Sequence, residues 1–426
     1  MNLHIENGTV LLDSEDGYHP ERLDLYIQGN RIAGIGRCPD GFVPEKTIDA
    51  ANQLIIPGLI NCHTHTYMSV FRNLADDLSF SDWLFGNIMP REDKLTPEDA
   101  YWGAMLSCME MVKTGTTTFL DMHMFKHQTA LAAQKTGMRA VISRGLSGEG
   151  HREDGLRRIK EAKEEMERFA NESRITFMYA PHAIYTCDTE YLSLVLEEAK
   201  RDNRPLHVHL SETTEEFEQC LNTHDMTPVA YLDSLGFFEM PTVAAHCVQL
   251  TSEDIDLLAR RGVNIAANPK SNLKLGNGYA PIPELLDAGV NICLGTDSQA
   301  SNNTLNLFSD MNYTALIHKG THHNAETISA NDVLSFATRN GAKALQLPDT
   351  GSIKEGALAD LTILDLNVPQ FMPRNNLTSA LVYSANGSEV NTVIIDGEVV
   401  LEQGHMTKVD ELEIYEHIND IMTRIH

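Results

Sequence analysis

The sequence is poor in several features that would mark other classes of protein. Its seven cysteines are odd in number and lack a Cys-x-x-Cys spacing, which argues against a disulfide framework or a cysteine-based zinc finger. No run of about 18 uninterrupted apolar residues is present, and the N-terminus has no basic region followed by an apolar core. Neither a membrane span nor a signal peptide is predicted, and a cytoplasmic protein with reduced thiols is expected.

Basic residues are also scarce, with 33 Lys and Arg against 60 Asp and Glu, so the formal net charge is −27. Repulsion from phosphate argues against nucleic acid and anionic membranes as partners. At 426 residues and 42% hydrophobic content, the chain can bury one large core and add a smaller module. The sequence leaves open whether the chain is a monomer or a homo-oligomer.

What the sequence does contain is a series of apolar segments that end in metal-binding or proton-transferring side chains. The first covers 54–60 and is followed by His63 and His65, whose i, i+2 spacing places both imidazoles on one side of a strand. Later segments end at His209, with Glu212 three positions beyond, at His246 and at Asp297. In a (β/α)8 barrel the C-terminal strand ends form the rim where active sites lie. Together these segments predict a metal site at such a rim.

These motifs resemble the amidohydrolase superfamily, and within it the 5'-methylthioadenosine/S-adenosylhomocysteine deaminase family. The resemblance runs from Ile5 to Glu398, and its most specific segments are 63–65, 71–78, 209–213 and 295–303. It implies metal-dependent hydrolytic deamination of an adenosine-type nucleoside (5'-methylthioadenosine, S-adenosylhomocysteine or adenosine) to the inosine analogue and ammonia. The expected partner is therefore a small-molecule nucleoside.

Strand-like and helix-like segments alternate from about 56 to 355, as a parallel α/β barrel requires. After the strand before His63, the candidate strands are 117–122, 140–144, 175–180, 205–210, 243–246, 263–267 and 291–296. Eight strands predict a (β/α)8 TIM barrel as the catalytic domain at 56–355. The segment 66–94 is too long for an ordinary βα loop, which predicts a functional role for it.

Both ends of the chain contain short strand-like segments with turn signals. Neither 1–55 nor 356–426 can bury a core by itself, because an isolated hairpin is marginal in water. We therefore expect the two segments to combine into one small β-sandwich domain beside the barrel, with a C-terminal helix. The family resemblance implies the same arrangement.

The predicted metal ligands are His63, His65, His209 and Asp297. Three neutral imidazoles and one carboxylate suit one divalent cation, which can activate a water molecule. Zinc is the predicted ion, and iron is the alternative that the same ligands accept. His207 shares strand parity with His209 but lies a layer deeper, so it is expected in the core or behind the ligands. Two-metal relatives use a carboxylated lysine after strand 4, where 179–182 contain none, so one ion per chain is predicted.

The resemblance implies roles for three further groups at the reacting centre. Glu212 takes a proton from the activated water and passes it to a ring nitrogen, so it also contacts the substrate. Without the resemblance it would be read as a partner of the next helix dipole. His246 orients the water and stabilises developing negative charge, while Asp297 moves the second proton to the departing amine.

The resemblance also transfers substrate contacts residue by residue. Glu92 matches a glutamate that accepts hydrogen bonds from both ribose hydroxyls, and His182 matches a histidine that contacts the purine. Arg144 and Arg152 match arginines that meet the amino-acid carboxylate of S-adenosylhomocysteine, although 147–150 alters the family spacing. The residues expected to wall the pocket are Met68, Trp83 and Leu84.

Two alternatives stay open. An amidohydrolase acting on an aminotriazine, pterin or guanine ring would share the metal core, but such a substrate offers no diol for Glu92. A non-catalytic purine- or metal-binding protein would have no use for Glu212 and His246 as proton-handling groups.

Overall fold

Two β-sheets organise the computed structural model of the protein, which describes residues 1–14 and 17–425. The N-terminal strands are β1 (Asn2–Ser14), β2 (Gly17–Gln28), β3 (Arg31–Ile35), β4 (Lys46–Asp49) and β5 (Gln53–Pro57). The middle strands are β6 (Leu59–Thr64), β7 (Thr116–His123), β8 (Arg139–Leu146), β9 (Ile175–Pro181), β10 (Leu206–Leu210), β11 (Thr242–His246), β12 (Asn264–Ala267) and β13 (Asn291–Leu294). The C-terminal strands are β14 (Leu361–Asp365), β15 (Val390–Ile395), β16 (Glu398–Glu402) and β17 (His405–Met406).

Strands β6 to β13 form a parallel sheet in which neighbours in sequence are neighbours in space. The sheet curls until its first and last strands meet. At this junction the Asp297 N–H donates to the His63 carbonyl at 2.9 Å. Helices from the intervening segments cover the outside. The predicted TIM barrel is confirmed, and all C-terminal strand ends lie at one rim.

The helices include two that begin with capping boxes, at Thr96 and Thr251, which satisfy the free N–H groups of the first turn. They are α1 (Met89–Glu92), α2 (Pro97–Lys113), α3 (Gln128–Thr136), α4 (Glu153–Arg168), α5 (Thr189–Asp202), α6 (Thr214–His224), α7 (Pro228–Ser234), α8 (Ser252–Arg261), α9 (Pro269–Lys274), α10 (Ile282–Asp287), α11 (Leu307–Thr321), α12 (Ala330–Phe336), α13 (Arg339–Ala344), α14 (Leu377–Tyr383) and α15 (Glu411–Ile425). Among the described helices, none is both long and apolar enough to cross a bilayer.

The second sheet is mixed and is built from both ends of the chain, as predicted. Its strand order is β17-β16-β15-β14-β5-β1-β2-β3, with β4 paired to β1. It encloses a small core of its own that includes Leu3, Ile5, Leu25, Ile363 and Ile394. The domain boundaries at 55/56 and 355/356 stay a prediction.

The apolar run 54–60, expected to be a single strand leading to His63, is divided between the two sheets. Residues up to Pro57 belong to β5, which pairs antiparallel with β14, and the barrel strand begins only at Leu59. Gly58 makes the junction possible, because a Cβ there would lie 2.2 Å from side-chain atoms of Thr117. Apolar character alone does not tell which of the two sheets buries a residue, so the point of division could not be read from the run itself.

A buried ion-pair cluster joins the barrel to the terminal sheet. Arg139 on β8 donates from Nε to Oδ2 of Asp360 at 2.7 Å and from Nη2 to Oδ1 of Asp396 at 3.1 Å. Asp360 and Asp396 flank the C-terminal strands, so this arginine fixes the two sheets to each other.

Candidate active site

The four predicted metal ligands converge at the centre of the barrel rim. His63 lies near the end of β6, and His65 follows that strand. His209 lies near the end of β10, and Asp297 follows β13. Nε2 of His65 lies 3.2 Å from Nε2 of His209. Oδ1 of Asp297 lies 3.5 Å from Nε2 of His63 and 3.4 Å from Nε2 of His65. His65 therefore lies close to both His209 and Asp297, and Asp297 lies close to both His63 and His65.

Hydrogen bonds behind the imidazoles decide which nitrogens face this point. Nδ1 of His65 donates to the Met122 carbonyl at 2.7 Å, and Nδ1 of His209 donates to the His182 carbonyl at 2.9 Å. A carbonyl only accepts, so in each neutral ring the proton is on Nδ1 and the Nε2 lone pair faces inward.

The third imidazole, of His63, is fully buried. Burial lowers the pKa of His63 to about 3 and holds the pKa of His209 well below its usual value. Within the described part of the chain, Nε2 of His63 has no hydrogen-bond partner. Ligand atoms of His63, His65 and Asp297 lie within 4.8 Å of one another, as do those of His63, His209 and His246. Imidazole nitrogens beside a carboxylate fit a divalent metal ion.

Asp297 is held by two hydroxyl groups that the sequence analysis did not predict. Its Oδ2 accepts from Ser271 Oγ at 2.6 Å and from Ser301 Oγ at 2.8 Å, which leaves Oδ1 toward the imidazoles. Burial raises the pKa of Asp297, but the adjacent side chains of His63 and His65 lower it, and the net shift is downward. Ser271 lies in α9 and Ser301 in the loop after β13. Ser301 falls within the family-like segment 295–303, whereas no local sequence pattern marks Ser271.

Glu212 and His246 lie beside the ligand cluster, with Oε2 of Glu212 3.7 Å from Nε2 of His246. Asn277 donates from Nδ2 to Oε1 of Glu212 at 3.2 Å, and His246 donates from Nδ1 to Oδ1 of Asn272 at 2.8 Å. Burial, and then the negative charge of Asp297, raise the pKa of Glu212 well above its usual value. The two asparagines were not predicted from the sequence.

The backbone at the rim is unusual at these positions. Ser211, His246, Cys247 and Asp297 all have positive φ, between 50° and 74°. Such conformations cost of order 1–3 kcal/mol each in non-glycine residues and cluster at functional sites. The strand ends therefore carry strain where they turn their side chains toward the candidate metal centre.

A narrow pocket of about 120 Å³ opens above the cluster, and the segment 66–94 covers one side of it. Its lining includes the predicted residues Met68, Trp83, Leu84, Glu92, His182, His209, Glu212, His246 and Asp297. Burial raises the pKa of Glu92 and lowers the pKa of His182 to about 3. The hydroxyl of Tyr67, a residue that the sequence analysis missed, donates to Oε1 of Glu92.

A larger outer cavity of about 680 Å³ shares Ser147, Tyr185 and Thr186 with the pocket. Arg152 lines this cavity, with its side chain 72% exposed and paired with Glu149 at 2.5 Å. Arg158 on α4 lines it too, although the sequence analysis did not single it out.

Arg144 lines neither of these two cavities, so the structure lends no support to its expected contact with a substrate carboxylate, which stays a prediction. Its buried guanidinium donates to Glu161 and to the Met124 carbonyl. The reason is strand parity: Ser143 points into the barrel toward His207, so the next residue on β8 points outward against α4.

Comparison with known proteins agrees with this architecture. The family model described as "Amidohydrolase family" matches residues 54–400. The chain belongs to the amidohydrolase family. The family resemblance seen in the motifs is thereby confirmed, as is the prediction of a hydrolase acting on carbon–nitrogen bonds.

Two relatives of this amidohydrolase are similar over almost their whole length. A 5-methylthioadenosine/S-adenosylhomocysteine deaminase of Thermoanaerobacter pseudethanolicus is 42% identical over 413 residues, covering 96% of each chain. A 5'-deoxyadenosine deaminase of Methanocaldococcus jannaschii is 43% identical over 405 residues, covering 94% of this chain and 96% of the relative.

Two solved structures share the fold of this amidohydrolase. An adenosine deaminase from Xanthomonas campestris with bound zinc has a TM-score of 0.95 and 31% identity, covering 99% of this chain and 98% of the other. An atrazine chlorohydrolase from Arthrobacter aurescens complexed with zinc has a TM-score of 0.91 and 25% identity, covering 99% and 100%. Zinc-bound neighbours and the convergent ligand set support a divalent metal site here.

Proposed function

We propose that the protein is a metal-dependent deaminase of adenosine-type nucleosides, releasing ammonia and leaving the inosine analogue. The observation that carries the proposal is the presence of the half-buried carboxyl group of Glu92 in the same narrow pocket as His65, His209, Asp297 and Glu212. The cluster provides for hydrolysis, and Glu92 provides a partner for a sugar diol. The names of the two deaminase relatives support the same reaction class.

We propose that His63, His65, His209 and Asp297 hold one zinc ion. The proposal is supported by the close approach of His63, His65 and Asp297, by the contact of His209 with His65, and by the zinc bound in both structural neighbours. When bound, such an ion acts as a Lewis acid that activates a water molecule.

The surrounding side chains move the protons of the reaction. Glu212 accepts a proton from the attacking water and gives it to a ring nitrogen of the base. Asp297 accepts the second proton of this water and gives it to the exocyclic amine, which leaves as ammonia. His246 orients the water through Nε2, because its Nδ1 proton is committed to Asn272.

Substrate recognition divides between the two ends of the pocket. His182 and the apolar residues Met68, Trp83 and Leu84 enclose the base, while Glu92 accepts hydrogen bonds from the ribose hydroxyls. With a triazine, pterin or guanine ring, the half-buried Glu92 would keep its hydrogen bond from Tyr67 but receive none from a sugar. The loss of those donors would cost about 1–3 kcal/mol. An amidohydrolase acting on such a ring is the second candidate function. The similarity to the atrazine chlorohydrolase supports it only through the common barrel fold and the zinc bound in that structure.

The outer cavity suits a substituent on the 5' carbon of the sugar. Arg152 and Arg158 are the cations along its wall, and we propose them, in place of Arg144, as partners for the carboxylate of S-adenosylhomocysteine. A nucleoside with a short apolar 5' group would reach only the inner pocket.

The decisive experiment is a substrate panel for the zinc-loaded protein, with ammonia release as the measurement. We expect turnover of adenosine, 5'-methylthioadenosine, 5'-deoxyadenosine and S-adenosylhomocysteine, and none of guanine, a pterin or melamine. Turnover of a base or triazine alone would replace the proposal by the second candidate. Tight purine binding without ammonia release would make the protein a binding protein.

A further inference from the structure

Behind the candidate metal centre, a line of buried hydrogen bonds crosses the barrel from β6 to β10 and β8. Nδ1 of His63 lies 2.9 Å from Nε2 of His207, and Nδ1 of His207 lies 3.0 Å from Oγ of Ser143. Oγ of Ser143 in turn lies 2.8 Å from the backbone carbonyl of Asp121. His63, His207 and Ser143 are each at most 1% exposed.

The direction of every hydrogen bond in this line follows from its last member. The Asp121 carbonyl can only accept, so the single hydroxyl proton of Ser143 points toward it. Ser143 Oγ must then accept from Nδ1–H of His207, which makes Nε2 of His207 an acceptor in the neutral ring. Nε2 of His207 therefore receives the proton on Nδ1 of His63, and Nε2 of His63 keeps its lone pair toward the metal centre.

The hydrogen-bond acceptor behind His63 is a side chain, whereas the acceptors behind the other two proposed ligand imidazoles are backbone carbonyls. His65 and His209 donate directly to backbone carbonyls, which cannot change their hydrogen-bonding role. His63 depends instead on the side chain of His207, whose own tautomer depends on Ser143.

We propose that His207, oriented by Ser143, is a positioning residue that fixes the tautomer and ring orientation of His63 for metal binding. This inference rests on the proposed metal site but not on the proposed substrate. Partners behind a ligating histidine typically change metal affinity by about 10–100-fold when removed.

The test measures the Zn²⁺ dissociation constant by competition with a chromophoric chelator, without any substrate. His207→Phe removes the acceptor at similar volume, and His207→Gln returns an amide oxygen near the position of Nε2. Ser143→Ala removes only the group that orients His207. His123→Phe is the matched control, since His123 is an equally buried strand-end histidine bonded to Glu165 and outside the line.

We expect His207→Phe to weaken Zn²⁺ binding by about 10–100-fold and Ser143→Ala by less, with His207→Gln close to the wild type. The visible absorption spectrum of the Co²⁺-loaded protein should shift in His207→Phe and return in His207→Gln, which a general packing defect would not produce. If His207→Phe fails to fold, Ser143→Ala with the Co²⁺ spectrum still decides the question.

Unchanged Zn²⁺ affinity in both His207→Phe and Ser143→Ala would overturn the inference. Equal losses in His207→Phe, His207→Gln and His123→Phe would also overturn it, because they would indicate packing alone. A wild-type protein that binds no Zn²⁺ or Co²⁺ would instead contradict the proposed metal site.

Discussion

The imidazole rings of His65 and His209 lie 1° from parallel, with their Nε2 atoms 3.2 Å apart. Both Nδ1 protons are donated to backbone carbonyls on the far side, so two lone pairs face each other across this gap. The two lone pairs repel each other, whereas both are attracted to a cation bound between or beside them. Main-chain acceptors at the ends of β7 and β9 thus hold both imidazoles ready for a cation.

Removal of the metal tests this arrangement most directly. We expect one divalent ion per chain by elemental analysis, and complete loss of ammonia release after chelation. Zn²⁺ addition should restore activity and raise the melting temperature, because a ligand that binds only the folded state stabilises it. Two ions per chain, or full activity after chelation, would contradict the prediction.

Replacement of Glu212 by Gln should remove the proton carrier while keeping the size of the side chain. A positioned general acid–base group contributes typically about 10²–10⁴-fold to the rate, so kcat should fall by at least that order. Zn²⁺ content and melting temperature should stay close to the wild type. Glu216→Gln is the comparison at a neighbouring glutamate. Glu216 lies in the first turn of α6, and its carboxylate accepts from the backbone N–H groups of residues 211 and 212. A kcat within about tenfold of the wild type in Glu212→Gln would exclude the assigned role.

Glu92 should distinguish ribose from deoxyribose. The wild-type protein should prefer adenosine to 2'-deoxyadenosine and 3'-deoxyadenosine, because each lost hydroxyl leaves the half-buried carboxylate short of a donor. Hydrogen bonds to charged groups contribute about 1.5–3 kcal/mol, equivalent to about 10–100-fold in kcat/KM. Glu92→Ala should erase this preference without changing Zn²⁺ content.

Tyr67→Phe provides the companion variant, because it removes the hydroxyl that donates to Glu92 while leaving the carboxylate in place. We expect it to preserve the preference for ribose. Equal kcat/KM for adenosine and its deoxy analogues in the wild type would point instead to a substrate without a sugar.

The arginines around the outer cavity should separate S-adenosylhomocysteine from 5'-methylthioadenosine. Arg158→Gln and Arg152→Gln should each lower kcat/KM for the carboxylate-bearing substrate, with up to about a 10–100-fold loss for a charge-assisted bond. Activity on 5'-methylthioadenosine should be retained. Arg144→Gln should change the ratio of the two activities little, because its guanidinium is committed to Glu161 and a carbonyl. A selective loss in Arg144→Gln alone would reverse this assignment.

Much of the fold, and the proximity of the candidate ligands, could be predicted from the sequence, and the reason is geometric. Parallel barrel strands all end at the same rim, so short motifs far apart in the chain, such as those at His63, His209 and Asp297, must meet. The alternation of strands and helices and the pairing of the two chain ends followed from pattern and from the inability of either end to bury a core alone. These conclusions need only the order of the segments.

Other features were decided by the tertiary structure, because they depend on which neighbour a side chain meets. The run 54–60 divides between two sheets at Gly58, where the side chain of Thr117 leaves no room for a Cβ. The residues on both sides of Gly58 are apolar, so their hydrophobicity does not reveal the division. Arg144 turns outward because Ser143 occupies the inward position.

The hydrogen bonds that orient the site residues were also decided by the tertiary structure. Tyr67, Ser271 and Ser301 reach Glu92 or Asp297 from other segments of the chain, and His207 reaches His63 across the barrel. A sequence gives the period of a strand and the chemistry at its end. The partners that hold those end groups in one tautomer and one orientation come from elsewhere in the chain, so only the folded barrel brings them into contact.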